Sequence, residues 1–266
     1  MQKWFALFLL IVLGCGAQFD PASLIESQRF LAIVADPLEA APGEVVSFTA
    51  LVTEKDGSLY QGPIAWMVAG GDMTRLEGNE SQIDPDDVFM QLPGMPAFPW
   101  TAPDKDELTA KFGEMEKNGM LLTVIATAFK NGDPNQEAIS AFKLFVVSER
   151  EPEQRMSNPV LEAVNVIGPG ASVLEPNENG LIVTDAHQVD LKAVVEEAGD
   201  DLTYHWFSTT KKFEPDFTAK QKFDPGKAGR YSIYCVIRGS HFFKHDDGDE
   251  TRITGQDWQL IEIKFE

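Results

Sequence analysis

The chain has 266 residues, enough for two domains of ordinary size, and its 43% apolar content is ample for packed cores. Against 42 acidic residues stand 22 basic ones, a net charge of −20. Such a surface repels phosphate backbones and anionic lipid headgroups, so nucleic-acid binding is not expected and the charge is read first as a source of solubility.

Residues 1–14 read MQKWFALFLLIVLG, with a basic Lys3 followed by an uncharged apolar run from Trp4 to Leu13. That run is too short for a bilayer span, which takes roughly 20 residues, and its basic start and small-residue end are those of a secretory signal. Its last residues, Val12-Leu13-Gly14-Cys15, resemble the bacterial lipobox. The resemblance implies removal of residues 1–14, a diacylglycerol on the Cys15 thiol and an acylated new N-terminus. Gly16, not Asp, follows the cysteine, so it implies no inner-membrane retention and points to the outer membrane. One acyl chain anchors only marginally, at about 0.8 kcal/mol per buried CH₂, but several chains on one residue suffice without a polybasic patch. The membrane is thus expected to be touched through the N-terminal lipid alone, with residues 15–28 as a lipidated tether.

Beyond the tether, β-rich runs alternate with turn signals. Arg29 to Ala35 is a first strand, stopped by Asp36-Pro37, and Ala41-Pro42-Gly43-Glu44 is a turn. Val45 to Thr53 alternates with period two, placing Val46, Phe48, Ala50 and Val52 on one face. Lys55-Asp56-Gly57 turns the chain into a strand over Ile64 to Val68, and Leu121 to Lys130 and Ala138 to Val147 complete a first β-domain, 29–147. Between them, 104–118 predicts a short helix that covers the core: Asp104 and Glu107 have capping-box spacing, Leu108, Phe112 and Met115 share a face, and Gly119 is a stop. Residues 148–159, charged and closed by proline, read as a linker with no core contacts, so the two halves are expected to unfold independently.

The second domain, 160–266, repeats the pattern. Leu161 to Ile167 is a strand, Gly168-Pro169-Gly170 a breaker, and Val189 to Val195 (VDLKAVV) echoes Val46 to Val52 (VSFTALV). Each echo is followed by a strand carrying tryptophan, Trp66 in one half and Trp206 in the other, which suggests an internal duplication. In Gly229-Arg230-Tyr231-Ser232-Ile233-Tyr234-Cys235, period two puts Tyr231, Ile233 and Cys235 on one face, with Trp206 as a core residue. With Cys15 lipidated, Cys235 has no partner and is expected to be a buried, inert thiol.

The Gly229-x-Tyr231 opening resembles the F strand of immunoglobulin-like and PKD-like modules, where the tyrosine hydroxyl caps the preceding corner. Together with the lipobox, Phe19-Asp20-Pro21 and the Ala41-Pro42-Gly43-Glu44 opening, the chain resembles two-domain lipoproteins of Gram-negative envelopes. The resemblance implies an all-β fold of two tandem immunoglobulin-like β-sandwiches in the cell envelope, and no activity.

No nucleophile elbow, zincin, Walker or Cys-x-x-Cys motif occurs, and no cofactor is implied. Two stretches are candidate sites. His241, His245, Asp246, Asp247 and Asp249 carry ligand chemistry for Zn²⁺ or Ca²⁺, although i, i+4 histidines align only on a helix and the Gly-Asp text favours a solvated hairpin loop. Phe89 to Trp100 crowds Met90, Leu92, Met95, Phe98 and Trp100 among prolines: a partner-binding patch if exposed, a plug for one end of the sandwich if tucked under, the plug being favoured. The expected function is non-catalytic: an adhesion, scaffold or assembly module that binds an envelope protein or glycan. The alternative is a divalent-metal- or carbohydrate-binding accessory protein using 241–250.

Overall fold

The computed structural model describes residues 23–71, 88–91, 95, 97–133, 136–196, 201–210, 213 and 217–266. The first half supplies strands β1 (Arg29–Asp36), β2 (Glu39–Ala40), β3 (Val45–Thr53), β4 (Ile64–Gly70), β5 (Val88–Gln91) and β6 (Phe98–Thr101). Helix α1 (Lys105–Phe112) and strands β7 (Met120–Phe129) and β8 (Ala138–Val147) follow. The second half supplies β9 (Leu161–Ile167), β10 (Val173–Leu174), β11 (Leu181–Thr184) and β12 (Val189–Val195). It ends with β13 (Thr203–Ser208), β14 (Lys220–Phe223), β15 (Gly229–Lys244) and β16 (Glu250–Phe265).

Among the described residues these strands make four sheets. The orders are β1-β3-β6 facing β2-β8-β7-β4-β5 in the first half, and β10-β9-β12-β14 facing β11-β16-β15-β13 in the second. The two halves share one plan. A short strand runs parallel to the last strand of each half, β2 on β8 and β11 on β16, while the other pairs are antiparallel. The echoed strands β3 and β12 hold matching places, as do the tryptophan strands β4 and β13. The molecule is all-β, of immunoglobulin-like sandwich type.

Period two explains both cores. Val46, Phe48 and Val52 of β3 face Trp66, Leu122, Val124 and Phe145 across the first sandwich. In the second, Trp206 is fully buried among Phe213, Tyr231, Ile233 and Cys235, and its indole Nε1 donates to the Thr218 carbonyl at 2.7 Å. The Tyr231 hydroxyl donates to the Lys227 carbonyl at 3.0 Å, the corner cap expected of the F strand. Gly229 makes room for it, since a Cβ there would stand 3.1 Å from the Tyr231 hydroxyl at a φ of +156°. Helix α1 is capped by Asp104, whose side chain accepts from the Glu107 N–H, and it buries Leu108. It stops at Gly113, earlier than Gly119, because the cap N–H turns back to the Thr109 carbonyl.

The strands of the second half differ from expectation at one point. β15 and β16 pair over their whole length, from Gly229↔Phe265 to Lys244↔Glu250, so the turn shrinks to 245–249. β13 accompanies β15 only as far as Arg238. Beyond it the hairpin continues as a two-stranded ribbon that lies on the first sandwich. An isolated hairpin is marginal in water, and this one is held by burial: Phe243 and Ile253 pack with Leu38, Leu121 and Val146.

The segment 148–159 is not the contact-free linker its composition suggested. Ser148 is buried and donates to Glu39 Oε1 (2.5 Å), Arg150 clamps the same carboxylate through Nε (2.7 Å) and Nη2, and the Met156 N–H donates to its Oε2 (2.9 Å). Glu39 is 1% exposed, so charge pairing and not solvation holds this stretch down. Farther on, the chain crosses the ribbon at the cross-strand pair Gly239↔Gly255, where a Cβ on Gly255 would come within 3.0 Å of Pro159 and of the Ser157 carbonyl. Glycine in mid-strand marks such close approach.

A second apolar contact joins the halves. Leu31, Ala32 and Leu51, on the outer face of the first sandwich, are buried with Phe207, Tyr234 and Val236 of the second. The edge of β1 is covered at the same place. Its outward groups are taken by side chains of the linker and second half: Leu31 O by Arg238 Nη2 (3.3 Å), Ile33 N by Gln256 Oε1 (3.1 Å) and Ala35 O by Asn158 Nδ2 (2.7 Å). An uncovered edge is an aggregation risk, and the second half removes it. Part of the expected tether is also fixed. Ser23 and Ile25 are buried, and Leu24 bridges in parallel to Ser208.

Candidate functional site

Cys15 lies outside the described residues, as does Leu92. The five expected metal ligands, by contrast, are described, and they are not brought together. His241 sits within β15, its Nε2 donating to the Ser157 carbonyl at 2.9 Å. Along a strand, four residues separate it from His245 by roughly 13 Å, with Phe243 between them. His245 Nδ1 donates to Glu116 Oε1 and its Nε2 pairs with the Thr251 hydroxyl, both at 2.9 Å. The Asp246 N–H donates to Glu116 Oε2 (2.9 Å), and the Asp246 carboxylate accepts from the Lys117 N–H (3.1 Å). Asp247 accepts from the Asp249 N–H within the turn. Among the described residues no group of three or more His, Cys, Asp or Glu side chains is placed to hold a metal ion. The loop, favoured from sequence as a solvated hairpin over a metal site, is a docking tip: His245, Asp246 and the Lys244 carbonyl engage residues 116–118 of the other half.

The proline-rich segment divides. Trp100 is 7% exposed and meets Phe145 edge-on at 5.6 Å, while half-buried Phe98 stacks on Trp66 at 6.2 Å. These two belong to the plug of the first sandwich and offer no patch. Strand β6 tolerates Pro99 because it is an edge strand. Met90 pairs with Ala65 in the sheet, and Met95 is exposed. Cys235 is fully buried against Trp206, and burial pushes its thiol well above the usual range, followed by the effect of Asp257.

The feature that the sequence reading missed lies where the sandwiches meet. A cleft of about 930 Å³ opens between β1, the near end of β8, β13 and the ribbon. Four permanently or usually cationic side chains line it, Arg29, Lys143, Arg238 and Arg252, together with His205, and no Asp or Glu is among the described lining residues. On a chain with nearly twice as many acids as bases, that exclusion is local and specific. Lys143 is 5% exposed and its Nζ has no hydrogen-bond partner in the protein; Arg238 Nε and His205 Nδ1 are likewise buried and unpaired. Arg29 lies over the Phe207 ring at 5.6 Å, and Arg252 reaches Ser240 Oγ through Nε (3.0 Å) and Nη2 (2.5 Å).

Burial first, and the Arg238 charge second, depress Lys143 to about 7 and His205 to about 4. Arg238 is itself lowered by burial and by Arg29. The consequence for stability has a definite sign. Between about pH 7 and the ordinary lysine value, the unfolded chain carries a proton on residue 143 that the folded chain does not. Stability therefore rises with pH across that window, by at most about 1.4 kcal/mol per pH unit from this group. The slope of unfolding free energy between pH 7 and 9.5 should be flatter in Lys143→Met than in the parent. Equal slopes would mean that Lys143 keeps an ordinary pKa in the fold.

A signal for this cleft was present in the strands. Period two over AISAFKLFVV places Lys143 on the inward side with Ile139, Ala141, Phe145 and Val147, where a lysine is out of place. In the same way Arg238 falls in register with Tyr234 and Val236, on the outer face that the first sandwich covers.

No protein-family model matches the sequence, and no curated protein matches it. Among solved structures the chain is similar to Salmonella alpha-2-macroglobulin reacted with methylamine, at 15% identity with a TM-score of 0.27. The match covers 90% of this chain and spans only 15% of that protein's length, a likeness too loose to support any inference about function.

Proposed function

We infer that the chain is a non-catalytic, lipid-anchored module of the bacterial cell envelope, an adhesion, scaffold or assembly protein held through acylated Cys15. What supports this reading above all is the joint between the sandwiches. The ribbon tip on residues 116–118, the Glu39 clamp on the linker and the apolar contact around Leu31 and Tyr234 fix one half on the other. A tethered module that presents a surface at a set distance from a membrane needs such stiffness, because a hinge would spread its position. The tether adds to it. Ser23 is already pinned to the body, its Oγ accepting from the Phe213 N–H at 2.8 Å. The chain from Cys15 to Ser23 reaches at most about 30 Å when fully extended.

The anchor is tested by Cys15→Ser. The variant is expected to remain uncleaved by the lipoprotein peptidase, to take up no labelled fatty acid and to leave the membrane fraction it would otherwise occupy. Normal maturation and membrane partition of the variant would end the lipoprotein reading. Cross-linking of the lipidated protein in its native envelope then identifies what the rigid body presents itself to.

A further inference from the structure

We propose that the cleft between the sandwiches is a binding site for a small organic anion, a carboxylate or phosphate group carried on an apolar body. The inference goes beyond the anchor and scaffold reading and does not depend on it. Four observations on the cleft converge. The cationic groups come from both halves: Arg29 and Lys143 from the first, Arg238 and Arg252 from the second, with His205 beside them as an uncharged imidazole. No described acidic side chain is among the residues that line the cleft. Lys143 is buried, aimed into the cleft and without a partner in the protein. Finally, Phe30, Ile139, Phe142 and Phe207 stand beside these charges, so the site offers apolar surface as well as charge.

A cluster of like charges in a half-buried cleft is costly by itself, and cations kept there are stabilised by an anion that pairs with them. Arg29 lines the cleft from β1, where Arg238 Nη2 also reaches, Lys143 from β8 and Arg252 from the ribbon. An oxyanion between them would gain charge-assisted hydrogen bonds, which are about twice as strong as neutral ones. The volume lies within the roughly 300–1,000 Å³ typical of small-molecule sites, far more than an inorganic ion fills. The remaining space belongs to the apolar body, against the phenylalanines. Ligand and joint are coupled, since the anion would touch both sandwiches at once.

The test uses the purified full chain and isothermal titration with phenyl phosphate and phenylacetate, with benzyl alcohol as the uncharged body and inorganic phosphate as the bare headgroup. One or both organic anions should bind saturably at one site, and the alcohol and inorganic phosphate at least about tenfold more weakly. Which of the two organic anions binds more tightly decides between phosphate and carboxylate. Lys143→Met should weaken the binding about tenfold or more, and Lys143→Arg should keep most of it. Lys143→Gln replaces the methionine variant if that chain does not fold. Absence of saturable binding by both organic anions overturns the proposal, as does equal binding by the alcohol or unchanged affinity in the neutral variants. Binding by inorganic phosphate as tight as by the organic anions would show an adventitious ion only.

Discussion

Trp206→Ala is expected to unfold both sandwiches together, in one cooperative transition. The indole is fully buried, packs on Phe213 with centroids 6.2 Å apart, and donates to the Thr218 carbonyl. Its truncation costs about 3–5 kcal/mol, a large share of the ~5–15 kcal/mol that holds a typical domain. From sequence alone the loss should stop at the linker and spare 29–147. The structure argues otherwise. If the second half melts, Leu31, Ala32 and Leu51 lose Phe207, Tyr234 and Val236, and Leu38, Leu121 and Val146 lose Phe243 and Ile253. The Tyr234 hydroxyl would also leave the Gly57 carbonyl, which it reaches at 2.5 Å. The first sandwich would be left with two newly wetted apolar patches and an open β1 edge. Limited proteolysis of the variant should yield no stable N-terminal fragment. A resistant piece ending near Glu151 would show that the first sandwich stands alone and that these contacts matter little.

Arg150→Leu should be the most damaging substitution outside the two main cores. It leaves the Glu39 carboxylate, 1% exposed, with the Ser148 hydroxyl and Met156 N–H but no countercharge. Breaking a buried pair on one side typically costs about 3–5 kcal/mol, whereas replacing both partners by apolar groups is often close to neutral. The guanidinium side chain keeps 32% of its exposure, so the loss should fall at the lower end, about 3 kcal/mol. Urea denaturation of Arg150→Leu, Glu39→Leu and the double variant forms the cycle that isolates the pair. The double variant should be more stable than Arg150→Leu. If instead Arg150→Leu costs less than about 1 kcal/mol, in the range of an exposed pair, the carboxylate is hydrated in the fold and the linker is held by something else.

The strands and both hydrophobic cores were legible from the residues because they rest on short-range periodicity. Alternation over Val45–Thr53 and Gly229–Ile237 determines which side chains face inward whatever lies opposite, and Val46, Phe48, Val52, Tyr231, Ile233 and Cys235 take those places. Capping of α1 by Asp104 and the corner bond of Tyr231 are equally local, each spanning three or four residues. What joins the two halves was not legible, because one-dimensional alternation does not say what covers an outward face. Leu51 falls on the outward side of the Val45–Thr53 alternation, and only the placement of Tyr234 and Val236 across from it buries it together with Leu31. The near-continuous apolar runs RFLAIVA and IYCVI carried a hint, since strands buried on both faces look like that. The histidines and aspartates of 241–249 suggested a ligand loop by composition, while the tertiary structure stretched His241 into a strand and spent His245 on Glu116. The cleft depended most on tertiary placement. Arg29, Lys143, His205, Arg238 and Arg252 are scattered over more than 220 residues of sequence, and these basic side chains meet only because the ribbon of one sandwich folds onto the other.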